Sequence, residues 1–250
     1  MRPLWKSVDL AALRHNVRVL AAQAGAAQVV AVVKADAYGH GVAALLPVLR
    51  EMPCFAVACM EEALALRALG LTQPVLLLEG VFAADELDVC AAEGFEPWLH
   101  DERQLAWYRH AVAKPACWLK VDSGMHRLGF DYGDMERLGR ELAACSELRV
   151  CTVFSHLATA DEESKADYVH HQYELFAQCC EALERTLGYR PRRHLLNTAG
   201  IERYPQYALD MARLGIGLYG FSPTARAGVE PIARFSTVIL QVKDLKAGEY

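Results

Sequence analysis

Two hydrophobic periods alternate along the chain. Short runs in which nearly every residue is apolar, many of them β-branched, fall at 29–33, 54–59, 75–78, 96–99, 117–121, 150–154, 194–196 and 211–214. Runs of that length suit strands buried on both faces of a parallel sheet. Between them the apolar residues recur with the helical period. The first such stretch, 8–23, puts Leu10, Leu13, Val17 and Leu20 on one stripe, with Ser7 as its cap and Gly25 near its end. Helices are expected next at 42–50, 61–69, 84–93, 102–112 and 134–144, then a long one at 165–187 and a short turn at 200–204. Strands separated by amphipathic helices imply right-handed βαβ crossovers and a parallel sheet. Eight such units in 250 residues favour an α/β fold closed into a (β/α)8 TIM barrel over an open doubly wound sheet, since no GxGxxG follows the first strand. The segment 235–245 differs: in FSTVILQVKDL, Val238, Leu240 and Val242 alternate with Thr237, Gln241 and Lys243. That is the pattern of a half-buried strand, and it has no successor to pair with. Residues 1–232 are therefore read as the barrel and 233–250 as the start of a second, β-rich domain on which the chain stops.

Composition narrows the partners. Hydrophobic residues make up 53% and charged residues 23%, enough for a large core. Lys+Arg 26 against Asp+Glu 31 leaves a net charge of −5, which disfavours nucleic acid or an anionic membrane as partner and points to a small ligand. Asp9 and Arg14 interrupt any signal-peptide core, and no charge-free run reaches membrane length, so a cytoplasmic protein is expected. The eight cysteines show no CxxC spacing and the nine histidines no HExxH; reduced thiols and no metal are expected.

The candidate chemistry sits where the strands should end, which in a barrel is where function gathers. Lys34 closes the first run. Partial desolvation there favours the neutral, nucleophilic amine. In the turn that follows, Gly39 and Gly41 allow close backbone approach, and Tyr38 and His40 offer polar tips. Lys120, Asp122 and Arg127 flank the fifth strand, His156 ends the sixth, Asn197 and Thr198 end the seventh, and Arg213 enters the eighth ahead of Gly215-Ile216-Gly217. A glycine-rich loop after the last strands suits a phosphate. Singly, each of these residues has a duller explanation: a snorkelling lysine, a surface arginine, a core histidine, a packing turn. Lys120 is the odd one, because its run directs an amine into a packed interior.

The string VVKADAYGHG resembles the pyridoxal-phosphate (PLP) lysine segment of bacterial alanine racemases. The likeness extends through an RPLW-type start, DSGMHRLGF, SHLATADE and RLGIGLYG, in order over essentially the whole chain. It implies an isomerase that interconverts L- and D-alanine, the D-isomer serving the cell wall in the biosynthetic case. Lys34 is then the Schiff-base partner of PLP and the base on one face of the substrate. Tyr38, Thr198, Gly215 and Ile216 are implied to hold the phosphate, Asn197 to line the cofactor site, Arg213 to face the pyridine nitrogen, and His156 to orient Arg213. Arg127 would meet the cofactor's phenolic oxygen and the substrate carboxylate, with Lys120 N-carboxylated to pair with it. In the resembling family the opposite face is served by a tyrosine from the C-terminal domain of a partner subunit in a homodimer. The chain ends at Tyr250, before that part of the pattern, and Tyr250 does not match the tyrosine. A non-catalytic single-barrel PLP carrier is the main alternative, and a PLP decarboxylase of the same barrel class a more distant one.

Overall fold

A computed structural model describes residues 3–145, 147–226 and 228–249; Tyr250 lies outside them. Among these residues, β2 (Gln28–Val32), β3 (Phe55–Val57), β4 (Val75–Leu77), β5 (Phe95–Leu99), β6 (Cys117–Asp122), β8 (Val150–Phe154), β9 (Arg192–His194) and β10 (Met211–Leu214) pair in parallel. The β10–β2 ladder, with Leu214 opposite Ala31, and the β5–β6 ladder, with Trp98 opposite Trp118, close them into a ring. The eight expected strands are thus the eight of a TIM barrel. Most are nearly all apolar because one face meets the bore and the other the helices; β9, Arg-Arg-His, is the exception and begins two residues before the expected 194–196. Val30, Val32, Ala56, Leu76, Trp98, Trp118, Phe154 and Met211 fill the bore; Ala31, Phe55, Leu77, Leu119 and Val153 face the helices. Burying a side chain of this size is worth about 1.5–3 kcal/mol.

The helices fall close to their expected spans, for example Val42–Leu49, Met60–Ala68, Met135–Ala144 and Ala166–Leu187. Three local expectations fail. Ser7 does not cap the first helix; it lies in β1 (Leu4–Val8), and the helix Leu10–Ala24 begins at Asp9, whose carboxylate accepts the amides of Ala11 and Ala12. The strand expected over 235–245 is instead β11 (Ala233–Thr237), mostly exposed, and Ile239, Leu240 and Val242 beyond it are at least 79% exposed. β11 pairs antiparallel with β1, Leu4 opposite Thr237, in a two-stranded sheet apart from the barrel. The third departure is a short strand, β7 (Phe130–Asp131), which returns beside the end of β6 with Phe130 opposite Val121. Gly129 makes that return possible: its φ is +121°, and a Cβ there would lie 2.8 Å from the Asp122 nitrogen and 3.1 Å from Cγ of Lys120.

Candidate active site

At the C-terminal end of the barrel lies a cavity of about 810 Å³. Lys34, Tyr38, Arg127, His156, Asn197, Thr198, Arg213, Gly215 and Ile216 all line it. Five strand ends and their loops, far apart in sequence, deliver them.

Lys34 follows β2 and is half-buried. After it the chain does not make an ordinary glycine turn. Ala35, Asp36 and Ala37 have φ/ψ of 51°/49°, 51°/54° and 55°/51°, and Tyr38 has φ 53°, a left-handed helical turn built without glycine. Such a conformation costs L-residues roughly 1–2 kcal/mol each, so surrounding contacts must hold it. The Ala37 amide bonds the Val33 carbonyl at 2.8 Å, Asp36 accepts the Val42 amide at 2.8 Å, and Lys6 from β1 donates to the Gly39 carbonyl at 2.8 Å. The turn carries the Tyr38 phenol toward Gly215 and Thr198. Burial raises the pKa of that phenol and the charge of Arg213 opposes the rise. His40 does not offer its tip to the cavity as expected. It bonds the Ala37 carbonyl at 2.9 Å and stacks on Tyr219, ring centroids 4.7 Å apart.

Arg213 is buried in the bore and donates to Nδ1 of His156 at 2.7 Å. A guanidinium only donates, so that nitrogen presents its lone pair and the neutral ring carries its proton on Nε2. Burial, followed by the charges of Arg213, Lys120, Arg127 and Lys34, holds the imidazole well below the ordinary histidine range. Burial and Arg127 bring Arg213 down to about 10, partly offset by Tyr38, so it is a cation at neutral pH. Its charge lies 5.4 Å from the Trp98 ring and 5.5 Å from that of Phe154. Lys120 shares the same two rings, at 5.8 and 5.1 Å. Its Nζ is buried with no hydrogen-bond partner. Burial and then Arg213 lower its pKa to about 7, against the opposing pull of Asp122. Asp122 does not neutralise it, because one of its oxygens accepts the amides of Gly124, Met125 and His126 at 2.9–3.0 Å. Burial raises that carboxyl, and these backbone bonds outweigh it, leaving the group below the ordinary carboxylate range. The loop so formed carries Arg127, which is exposed at the cavity rim.

On the opposite wall Asn197 accepts the Gly200 amide at 2.9 Å and caps the helix Thr198–Arg203. Its amide nitrogen stands 3.4 Å from Nε2 of His156. The Thr198 hydroxyl accepts the amides of Gly215 (3.2 Å) and Gly217 (3.3 Å). A Cβ on Gly217 would lie 2.6 Å from Thr198 and 2.9 Å from Leu20, so only glycine lets the strand end and the helix close on each other. A Cβ on Gly215 would lie 3.7 Å from the Tyr38 hydroxyl and 3.8 Å from that of Thr198. The Tyr38 and Thr198 hydroxyls therefore converge with the backbone at Gly215 and Ile216 on one corner of the cavity, and hydroxyl and N–H donors are what an anionic phosphate requires.

Sequence reasoning missed Glu62. It accepts the amide of Ala35 and that of Ala58, each at 2.7 Å, from the first turn of the helix Met60–Ala68. Nothing in its surroundings in the sequence distinguishes it from an ordinary first-turn acid.

The family model for the alanine racemase N-terminal domain matches residues 8–223. The chain is 38% identical over 255 residues to alanine racemase of Dichelobacter nodosus and 40% identical over 257 residues to the catabolic alanine racemase of Pseudomonas aeruginosa, in both cases over all of this chain and 70% of the relative. Among solved structures, alanine racemase of Acinetobacter baumannii superposes with a TM-score of 0.90 at 32% identity, covering 100% of this chain and 70% of that one. The Bartonella henselae enzyme, with covalently bound pyridoxal phosphate, gives 0.85 at 26% identity and the same coverage. Family match, identity across the whole chain and superposition agree: this chain belongs to the alanine racemase family of isomerases.

Proposed function

We propose that this barrel binds PLP through Lys34 and exchanges the α-proton of alanine on one face. The observation that carries the reading is Arg213, a buried guanidinium bonded to a neutral imidazole rather than to a carboxylate. Its remaining N–H groups suit a neutral ring nitrogen, which they hydrogen-bond without protonating. When bound, PLP supplies an electron-withdrawing ring that acidifies the substrate α-carbon, and an unprotonated ring nitrogen moderates that withdrawal. The chain's own residues do the rest. Lys34 Nζ would hold the covalent link at rest and, once the substrate amine has displaced it, the freed amine would accept or return the proton. Tyr38, Thr198, Gly215 and Ile216 hold the phosphate; Asn197 lines the pocket between them and His156. Arg127 receives the substrate carboxylate.

Lys120 completes this arrangement as a carbamate. An amine that is substantially neutral near pH 7 and has no partner is a nucleophile for carbon dioxide: its nitrogen bonds the carbon, and the displaced proton leaves to solvent. The resulting anion would counter Arg127 and Arg213. For return of a proton on the opposite face we follow the resemblance, which assigns a tyrosine of a partner subunit's second domain in a homodimer. On that reading 1–232 is the barrel unit and 233–250 opens the second domain.

The test is visible absorption of the purified chain with added PLP, wild type against Lys34→Ala, followed by borohydride reduction and peptide mapping. A band absent from the variant, with the reduced cofactor on Lys34, is the expected result. Identical spectra from the two proteins would sink the proposal.

A further inference from the structure

The cofactor lysine proposed above is aimed by a turn that its own sequence does not favour. Four successive non-glycine residues, Ala35 to Tyr38, sit at φ of 51–55°, and L-residues reach that region only where neighbours over-determine it. The first of them, Ala35, directly follows Lys34. Its amide points out of the turn and is taken by Glu62 Oε1 at 2.7 Å, while Oε2 of the same carboxylate takes the amide of Ala58 at 2.7 Å. Ala58 follows β3, the strand beside β2, and it lines the cavity. One carboxylate thus staples the residue after the lysine to the end of the neighbouring strand. Both bonds are short and charge-assisted, the stronger class of hydrogen bond.

We propose that Glu62 is a positioning residue for Lys34, fixing the start of the left-handed turn so that the amine and the Tyr38 phenol meet one ligand. The inference rests on the PLP reading for what that ligand is, but the turn itself does not. The ordinary alternative is that Glu62 serves only its own helix, as an acid in a first turn. Glu61 stands beside it in the same turn, exposed and bonded to the Cys59 side chain rather than to the amides of Ala35 and Ala58, and so offers the control.

The experiment uses the full chain with Glu62→Gln, Glu62→Asp and Glu61→Gln, each checked for a wild-type melting transition. Glutamine has one acceptor oxygen for two amides, and aspartate is one methylene too short to span them. Two quantities are read: hydrogen exchange in the peptide covering 34–40, and the PLP concentration that half-saturates borohydride-trapped label on Lys34. The expected result is exchange faster by about tenfold or more and PLP capture weaker by about tenfold in both Glu62 variants, with Glu61→Gln like wild type. Unchanged PLP capture in the Glu62 variants overturns the proposal, as does an equal effect from Glu61→Gln. If the wild type takes no PLP on Lys34, the functional reading fails by itself. Exchange then decides alone whether Glu62 holds the turn, and should a Glu62 variant not fold, the other gives both readings.

Discussion

The two ends of the barrel bore treat charge differently. At the N-terminal end, Glu96 accepts the indole N–H of Trp118 at 2.5 Å and lies 3.7 Å from the guanidinium of Arg192, which stands over the Trp118 ring. The Cys54 and Cys151 thiols beside it are pushed up to about 12, by burial first and then by the Glu96 charge, so they stay neutral. At that end the acid and the base face each other. At the C-terminal end Lys120 and Arg213 are buried and Lys34 and Arg127 lie nearby; among the described residues none of the four is in an ion pair. Buried charge without a counterion is unfavourable. One end of the bore thus pairs its charges internally, while the other gathers four basic side chains without an ion-pair partner among the described residues, beside a cavity that Glu79 and Asp161 also line; the proposed function places anions there.

Substitutions can break or sharpen this contrast. The largest effect is expected from Arg213→Met. At matched PLP loading, exchange of the alanine α-proton with deuterated solvent should fall about a hundredfold, ~3 kcal/mol, without loss of folding stability; a variant that is unstable yet exchanges normally would reverse the assignment. Glu96→Leu is the counterpart at the matched end. It leaves the buried Trp118 N–H without its acceptor and should lower urea-measured stability by about 2 kcal/mol, with α-proton exchange by the folded fraction unchanged.

Lys120→Met joins the two behaviours through pH. The amine titrates near 7 in the fold against 10.5 when free, so between those values the unfolded chain binds more protons and wild-type stability rises with pH. Methionine has no such slope. The variant should exceed wild type by about 2 kcal/mol near pH 6, the gap narrowing as pH rises from about 7 toward about 10.5. Bicarbonate should stabilise only the wild type, and equal responses would argue against the carbamate. The smallest effect belongs to Thr198→Val. It removes the acceptor shared by the Gly215 and Gly217 amides, and PLP affinity should drop about tenfold, ~1.4 kcal/mol, as read by the same trapping titration.

The contrast also marks what could be read from residues alone. The strands were legible because burial on two faces leaves a continuous apolar signature: 29–33 was expected and Gln28–Val32 is found. β1 was not, since LWKSV takes its strand character from β11 at the other end of the chain, a pairing no local window contains. The buried amine of Lys120 was legible from its run, whereas the bond from Arg213 to His156 joins two strands and entered only through the family likeness. Least legible was the turn after Lys34. Ala-Asp-Ala-Tyr has no local preference for positive φ, and the bonds that impose it come from Lys6 and Glu62.

That turn also ties the site to the finished barrel. Left to themselves, residues 35–38 favour the right-handed basin, so the turn depends on β2, β3 and the helix Met60–Ala68 being docked around it. Lys34 and Tyr38 lie on this turn and Arg213 on β10, and only the docking of these elements brings them around one cavity. The meeting of Lys34, the Tyr38 phenol and Arg213 at one cavity is thus a property of the assembled barrel and of no shorter piece of it.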